Sequence, residues 1–414
     1  MTRVSLSAVA ASVVGLLLSG CSTLFPDNTN KNSGPSTPVG CAATTKQVAP
    51  GGYYVNGNTV CTAAGLPHLF HGFDRPSLEW QPGGENIAPA DFALMATWKA
   101  NVVRIALNQD FWLAGSKYYS ASYASTVDNA VHWAEEAGLD VILDLHWSDQ
   151  GVLGSCNPAN GCQQVMADAN SLTFWQDVAS IYKGDGRVMF ELYNEPHDVP
   201  WNVWKSGGNV GGFQVAGMQQ LYDAVRTGAG ADNLVLIGGL DWAYDLSQVP
   251  ANRIAGYNIV YATHPYKNDA AQQPSGFDNG WGFLTKTDPV VVTEFGDGHD
   301  CDASKNFTTT VTDYDSAVIS YADQHNAGWT SWAWFPGNCS FPSLISDWTA
   351  TPTALGSVVH AALAGYSDPA PDGKRDGGPL PDAASATVDA GTGDGGGETA
   401  TDGGVSPADA GQGG

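Results

Sequence analysis

The sequence carries little charge, and very little of that charge is positive. Only 14% of residues are charged, and 17 lysines and arginines stand against 42 aspartates and glutamates, for a net charge of −25. A chain so short of cations is poorly suited to a phosphate backbone or an anionic bilayer face, which argues against nucleic acid as a partner. Metal-binding spacings are missing too. No Cys-x-x-Cys, His-x-His or His-x-x-x-His occurs, which argues against a zinc site and a metal-dependent hydrolase. No Gly-x-Gly-x-x-Gly follows any early strand-like run, which argues against a dinucleotide-binding sheet. The apolar run from Ala8 to Leu18 is too short for a permanent membrane span.

What the chain has in quantity is aromatic surface. All 14 tryptophans fall between residues 48 and 367, enough chain for one large domain. Low charge with many aromatics suits a neutral, stackable ligand such as a sugar.

The two ends read differently. Residues 1–21 open with Met-Thr-Arg, continue through the apolar stretch and end Leu18-Ser19-Gly20-Cys21, an export signal whose last residues resemble the bacterial lipobox. Cys21 is then expected to carry lipid, with Ser22 after it suiting transfer to an outer membrane. Such a chain meets the membrane through its lipid only. Residues 22–47, rich in Asn, Ser, Thr and Pro, read as a flexible tether. Residues 368–414 hold nine acidic residues against Lys374 and Arg375, with no aromatic after Tyr366. Such a segment buries too little apolar surface to offset its ordering entropy and is expected to be disordered.

Setting Cys21 aside leaves Cys41, Cys61, Cys156, Cys162, Cys301 and Cys339, an even set that favours disulfides in an exported chain. Six cysteines allow 15 connectivities. Proximity favours Cys41–Cys61 and Cys156–Cys162, and elimination leaves Cys301–Cys339.

Between the ends, short apolar runs alternate with amphipathic stretches. Strands are expected at residues 69–74, 101–107, 140–146, 187–193, 234–239, 259–264, 289–295 and 328–334. Continuous apolar runs are what a parallel sheet covered on both faces requires. Helical spacing links Val127, Ala130, Val131 and Ala134, with Gly138 as a C-cap. The same period recurs from Trp175, Met218 and Tyr314. Eight β/α units predict an α/β fold, a (β/α)8 TIM barrel, over residues 48–367. Residues 52–66 predict a small N-terminal β-hairpin, turning at Asn56-Gly57 and plugging the barrel's bottom.

In such a barrel the chemistry sits at the C-terminal strand ends. Those ends carry Arg104, His146, Asn194 with Glu195, Trp242, His264 with Tyr266, Glu294, and Trp332 with Trp334. Singly, each has a structural reading: an ion-paired arginine, a buried histidine, a helix-capping glutamate. Their coincidence on one rim points to a shared site. Two facing carboxylates can hydrolyse a glycosidic bond, one delivering a proton and the other attacking the anomeric carbon. Strands four and seven could bring Glu195 and Glu294 to the ~5–5.5 Å of a retaining mechanism. Arg104 and Tyr266 would then keep Glu294 anionic. Asn194 would meet a sugar 2-hydroxyl, His146 and His264 would hold neighbouring hydroxyls, and Trp332 or Trp334 would floor the ring.

Leu192-Tyr193-Asn194-Glu195-Pro196 resembles the acid/base motif of glycoside hydrolase family 5, and Val292-Thr293-Glu294-Phe295-Gly296 resembles its nucleophile strand. Arg104, His146, the His264/Tyr266 pair and a strand-eight tryptophan match the family's other sites in order. Gly328-Trp329-Thr330-Ser331-Trp332-Ala333-Trp334 resembles the Trp-Thr-x-Trp-x-Trp strand of some bacterial endoglucanases, which favours Trp332 for that last site. The resemblance covers about residues 52–365. It implies double displacement with retention, Glu294 as nucleophile and Glu195 as acid/base. Arg104, His146, Asn194, His264, Tyr266 and Trp332 would bind substrate, with no metal and no cofactor. The implied substrate is β-1,4-glucan, with mannan, xyloglucan or another β-glucan as alternatives, and a non-catalytic glycan-binding lipoprotein as the competing class. The implied partner is a polysaccharide or oligosaccharide, and the protein is expected to act as a monomer in the cell envelope. Two departures concern specificity. Asp74 stands where many members have the Asn of a Gly-x-Asn turn, and is expected in an outer subsite. Residues 155–169 and the Trp201/Trp204 segment lack a clear counterpart.

Overall fold

The computed structural model describes residues 36–42, 44, 47–267, 271–296, 311–337 and 342–366. Eight strands close into a barrel: β1 (His71–Arg75), β2 (Val102–Asn108), β3 (Asp140–Trp147), β4 (Val188–Glu191), β5 (Val235–Gly238), β6 (Ile259–Thr263), β7 (Val290–Val292) and β8 (Gly328–Ser331). Every neighbouring pair is parallel, and β8 shuts the ring on β1 with Trp329 opposite His71. The expected (β/α)8 barrel is therefore the observed one. The predicted helices lie at Tyr123–Glu136, Asn170–Tyr182, Met218–Asp223 and Val311–Gln324. Gly138 ends the first of them at φ +90°, its N–H donating to the Glu135 carbonyl.

Alternation along the strands divides their side chains between two environments. Val103, Ile105, Leu107, Val141, Leu143 and Leu145 point outward and pack with the helices in the larger apolar cluster. Val102, Ile142, Met189, Leu236, Val260, Ala262 and Val291 point inward and fill the lower barrel. Fully burying side chains of this size contributes about 1.5–3 kcal/mol each. Gly72 occupies the inward position on β1, where an added Cβ would lie 1.8 Å from the Val102 carbonyl oxygen. Glycine is what lets β1 approach β2 there.

The hairpin, Tyr53–Asn56 paired with Thr59–Thr62, sends Tyr53 and Val60 into this inner cluster and so plugs the bottom as expected. Its turn is Gly57-Asn58, one residue later than predicted, with Gly57 at φ +61°. Cys41–Cys61 ties the preceding segment to the hairpin, and Cys156–Cys162 closes a loop after β3. Cys21, Cys301 and Cys339 lie outside the described residues, as do the predicted signal and tail. Among the described residues no helix is long and apolar enough to cross a membrane.

In β4, β7 and β8 the paired segment stops short of the predicted end, at 191 rather than 193, 292 rather than 295 and 331 rather than 334. Hydrophobicity continues past the ladder because Leu192, Tyr193, Phe295 and Trp334 still pack outward in the larger apolar cluster, while Glu195, Glu294 and Trp332 between and beyond them turn to the barrel mouth.

Candidate active site

The inner layer above the apolar plug is polar. Arg104, two residues above Val102, is fully buried, donates hydrogen bonds to four groups and forms an ion pair with a fifth. Nε meets Glu191 Oε2 at 2.5 Å, and Nη1 meets Glu294 Oε1 at 2.7 Å and Asp74 Oδ1 at 3.1 Å. Nη2 meets Asn194 Oδ1 at 2.7 Å and Asp144 Oδ2 at 3.0 Å. A guanidinium is the one side chain whose planar fork can serve so many acceptors at once. No surface of Arg104 is left for a ligand, so it anchors the site where direct sugar binding was expected of it. Asp74 is corrected likewise. It is fully buried beneath the mouth and bonded to Arg104, with no place in an outer subsite.

Glu294 leaves the end of β7 with both oxygens engaged. Arg104 holds Oε1, and the Tyr266 hydroxyl donates to Oε2 at 2.7 Å. Burial pushes this carboxyl up, but His264, Arg104, His146 and Tyr266 together hold it below the ordinary glutamate range. Glu195, beyond β4, is the more open carboxyl, with 18% of its side chain exposed. One Glu195 oxygen, one Glu294 oxygen and a His264 ring nitrogen lie within 4.8 Å of one another. A histidine and two glutamates this close could in principle ligate a cation. Arg104 and Tyr266 already occupy the oxygens of Glu294, so the donor set is committed to protein partners.

His264 has no exposed surface. Its Nδ1 lies 3.3 Å from Glu195 Oε1, and its Nε2 lies 2.9 Å from Thr293 Oγ1, which in turn donates to Glu191 Oε1 at 2.7 Å. It is closed to a sugar hydroxyl, contrary to expectation, and braces Glu195 from behind. Burial opposes its charged form, but Glu294, Glu191 and Glu195 raise it to about 10. His146 bonds Asp144 Oδ2 at 2.7 Å and lies nearly parallel to the Trp332 ring, 5.4 Å between centroids. Burial disfavours its charge, but Asp144, Glu79 and Glu294 lift it to about 9. Trp332 remains at the rim, 9% exposed, whereas Trp334 is fully buried with its indole N–H donating to Asp91 Oδ1 at 2.9 Å. The mouth thus offers Trp332, and not Trp334, as an aromatic face. Trp242, after β5, stacks on His197 at 3.6 Å, in a run of three left-handed residues from Asp241 to Ala243.

The structure therefore brings Glu195, Glu294, Arg104, His146, Asn194, His264, Tyr266 and Trp332 to one end of the barrel. Sequence reasoning missed Asp144, Glu191 and Thr293 as members of this group. A signal for the first two existed, since a carboxylate inside the fully buried runs VILDLH or VMFELY must find a partner.

A family model described as cellulase (glycosyl hydrolase family 5) matches residues 61–338. The chain belongs to this family. Endoglucanase E-5 of Thermobifida fusca is 23% identical over 288 residues, covering 67% of this chain and 54% of that protein. Endoglucanase A of Butyrivibrio fibrisolvens is 26% identical over 269 residues, covering 63% of this chain and 55% of that protein. The chain thus spans little more than half the length of these two relatives. Among solved structures, the family 5 barrel here is similar to β-glucanase SdGluc5_26A of Saccharophagus degradans, with a TM-score of 0.61 and 23% identity over 83% of this chain and 97% of that one. It is also similar to the catalytic domain of Thermobifida fusca endoglucanase Cel5A, with a TM-score of 0.57 and 19% identity over 75% of this chain and 97% of that one.

Proposed function

We propose that this chain is a retaining, endo-acting β-glycosidase that hydrolyses β-1,4-linked glucan by double displacement. The observation that carries this reading is that an oxygen of Glu195 and an oxygen of Glu294 lie within 4.8 Å of each other, with Glu294 engaged by Arg104 and Tyr266. Inverting enzymes keep their carboxyls ~6.5–9.5 Å apart to admit a water, so the closer spacing supports direct attack.

In this mechanism Glu294 attacks the anomeric carbon while Glu195 gives its proton to the departing oxygen. Glu195 then takes a proton from water, which releases the sugar with its configuration retained. Asn194 reaches the 2-hydroxyl of the reacting ring, and Trp332, backed by His146, supports that ring. No metal or cofactor enters the sequence of steps. The relatives named endoglucanase support the choice of glucan, and so does the Saccharophagus β-glucanase, which was solved with cellotetraose. The reading extends to the whole chain as a monomeric, exported enzyme. Residues 1–21 act as a lipoprotein signal, Cys21 as the lipid anchor, 22–47 as a tether, 48–367 as the catalytic domain and 368–414 as a solvated tail.

The test is release of reducing ends from carboxymethylcellulose, barley β-glucan, mannan, xyloglucan and xylan by the wild type and by Glu294→Gln. Activity on the β-glucans, lost in the variant while glycan binding persists, is expected. Robust turnover by Glu294→Gln would refute the nucleophile assignment.

A further inference from the structure

The disulfide-closed loop after β3 has no use in the mechanism so far, yet it reaches the catalytic pair. Immediately after Cys162, Gln163 extends its side-chain amide to the chain leaving β4. Its Nε2 donates to the Glu195 backbone carbonyl at 3.1 Å, and its Oε1 accepts from Asn194 Nδ2 at 3.2 Å. The next two residues pin the loop in place. The Tyr193 hydroxyl donates to the Gln164 carbonyl at 2.7 Å and accepts from the Gln164 N–H at 3.0 Å, and the His197 N–H donates to the Val165 carbonyl at 3.0 Å. Cys162 is itself buried, so the six-residue bridge to Cys156 fixes where Gln163 begins.

The consequence falls on Asn194. Its Oδ1 is taken by Arg104, which settles which end of the amide is the donor. Of the two Nδ2 hydrogens, one faces Gln163 Oε1, nearer than His146 Nε2 at 3.4 Å. The other lies toward His146 Nε2 in that longer contact, the weaker of the two and the one a hydroxyl of the reacting sugar would replace. We propose that Gln163, delivered by the Cys156–Cys162 loop, is a positioning residue for the reaction. Its amide locks the Asn194 amide in the orientation that meets the sugar 2-hydroxyl, and holds the backbone of Glu195 beside it. This inference rests on the glycosidase reading above. It predicts that the loop contributes to turnover through the 2-hydroxyl, a contact that strengthens in the transition state, and not merely to stability.

The experiment compares full-length wild type, Gln163→Met, Gln163→Glu and the Cys156→Ser/Cys162→Ser pair on an aryl β-cellobioside and on its analogue lacking the 2-hydroxyl of the reacting ring. Methionine keeps the volume and removes both hydrogen bonds. Gln163→Met is expected to lose about ten-fold in kcat on the hydroxylated substrate, the effect of one lost hydrogen bond, with KM nearly unchanged. On the 2-deoxy analogue, where only the hold on Glu195 is lost, the fall should be clearly smaller. Gln163→Glu keeps the acceptor for Asn194 and should recover part of the loss. The cysteine pair should reproduce the Gln163→Met pattern, with a thermal melt confirming that the barrel is folded. Unchanged kcat in Gln163→Met, or an equal fall on both substrates, would overturn the proposal. A wild type inert on both substrates would instead sink the glycosidase reading and this inference with it, so the two failures are told apart.

Discussion

Replacing Tyr266 by Phe tests the electrostatics of the site with one oxygen atom. The ring is retained, so no cavity opens. What is lost is the hydroxyl that donates to Glu294 Oε2 at 2.7 Å, while Arg104 keeps its hold on Oε1. A hydrogen bond to a charged group contributes about 1.5–3 kcal/mol. At 1.36 kcal/mol per pH unit, the Glu294 carboxyl should rise by about 1–2 pH units. The sign follows from its role. In the proposed mechanism Glu294 works as a carboxylate, and its affinity for protons is depressed in the fold. Activity is therefore lost as pH falls through its titration, and a weaker carboxylate moves that limb toward neutrality. The assay is kcat/KM for an aryl β-cellobioside from about pH 3 to about pH 8, since this ratio reports the free enzyme's essential groups. The acidic limb of Tyr266→Phe should lie above that of the wild type, the basic limb should stay in place, and the defect should shrink near pH 7. An acidic limb that stays put or moves down would refute the assignment of Tyr266 as the support of the anionic nucleophile.

Two further outcomes follow from the same buried network. Arg104→Met removes the cation shared by Asp74, Asp144, Glu191 and Glu294, and breaking buried ion pairs of this kind costs about 3–5 kcal/mol. Chemical denaturation should register that loss, and a variant as stable as the wild type would show that the carboxylates are neutral in the fold. His264 is raised from 6.5 to about 10, so its contribution to stability is complete below about pH 6.5 and disappears as pH rises through about 10. Calorimetry should find Tm falling on the alkaline side, and a Tm flat to pH 10 would contradict the charged His264.

The barrel was legible because its strands are buried on both faces and so are largely apolar, as the runs around Val102, Val141, Val188 and Val290 are, with Arg104, Asp144 and Glu191 as the polar exceptions that build the site. The strand ends were less legible for the same reason. Phe295 and Trp334 carry the apolar character onward although the paired segments stop at Val292 and Ser331. The loops were opaque because their partners are remote in sequence. Residues 155–169 are ordered by Tyr193, Glu195 and the bridge from Asp168 to Val215, and residues 208–215 form a hairpin that meets them. No local pattern specifies which loop will meet which.

The site shows the same division at the level of charge. The motifs around Glu195 and Glu294 could be found by their neighbours in sequence, but the ionisation of each carboxyl depends on which cations it touches in space. Asp74 has Arg104 alone, its second oxygen has no hydrogen-bond partner among the described residues, and burial drives its carboxyl well above the ordinary range. Asp144 touches Arg104 and His146, and burial still raises it. Glu191 and Glu294 also pay for burial, yet both lie between Arg104 and His264, and both are held below the ordinary range, Glu191 at about 2. A second cation is not enough by itself, since Asp144 has His146 beside it and is still raised. What Glu191 and Glu294 share is His264, at the end of β6 and 3.7 Å from a carboxylate oxygen of each. The carboxylate at the end of β7, the nucleophile of the proposed mechanism, is thereby held low by a histidine that has no exposed surface of its own.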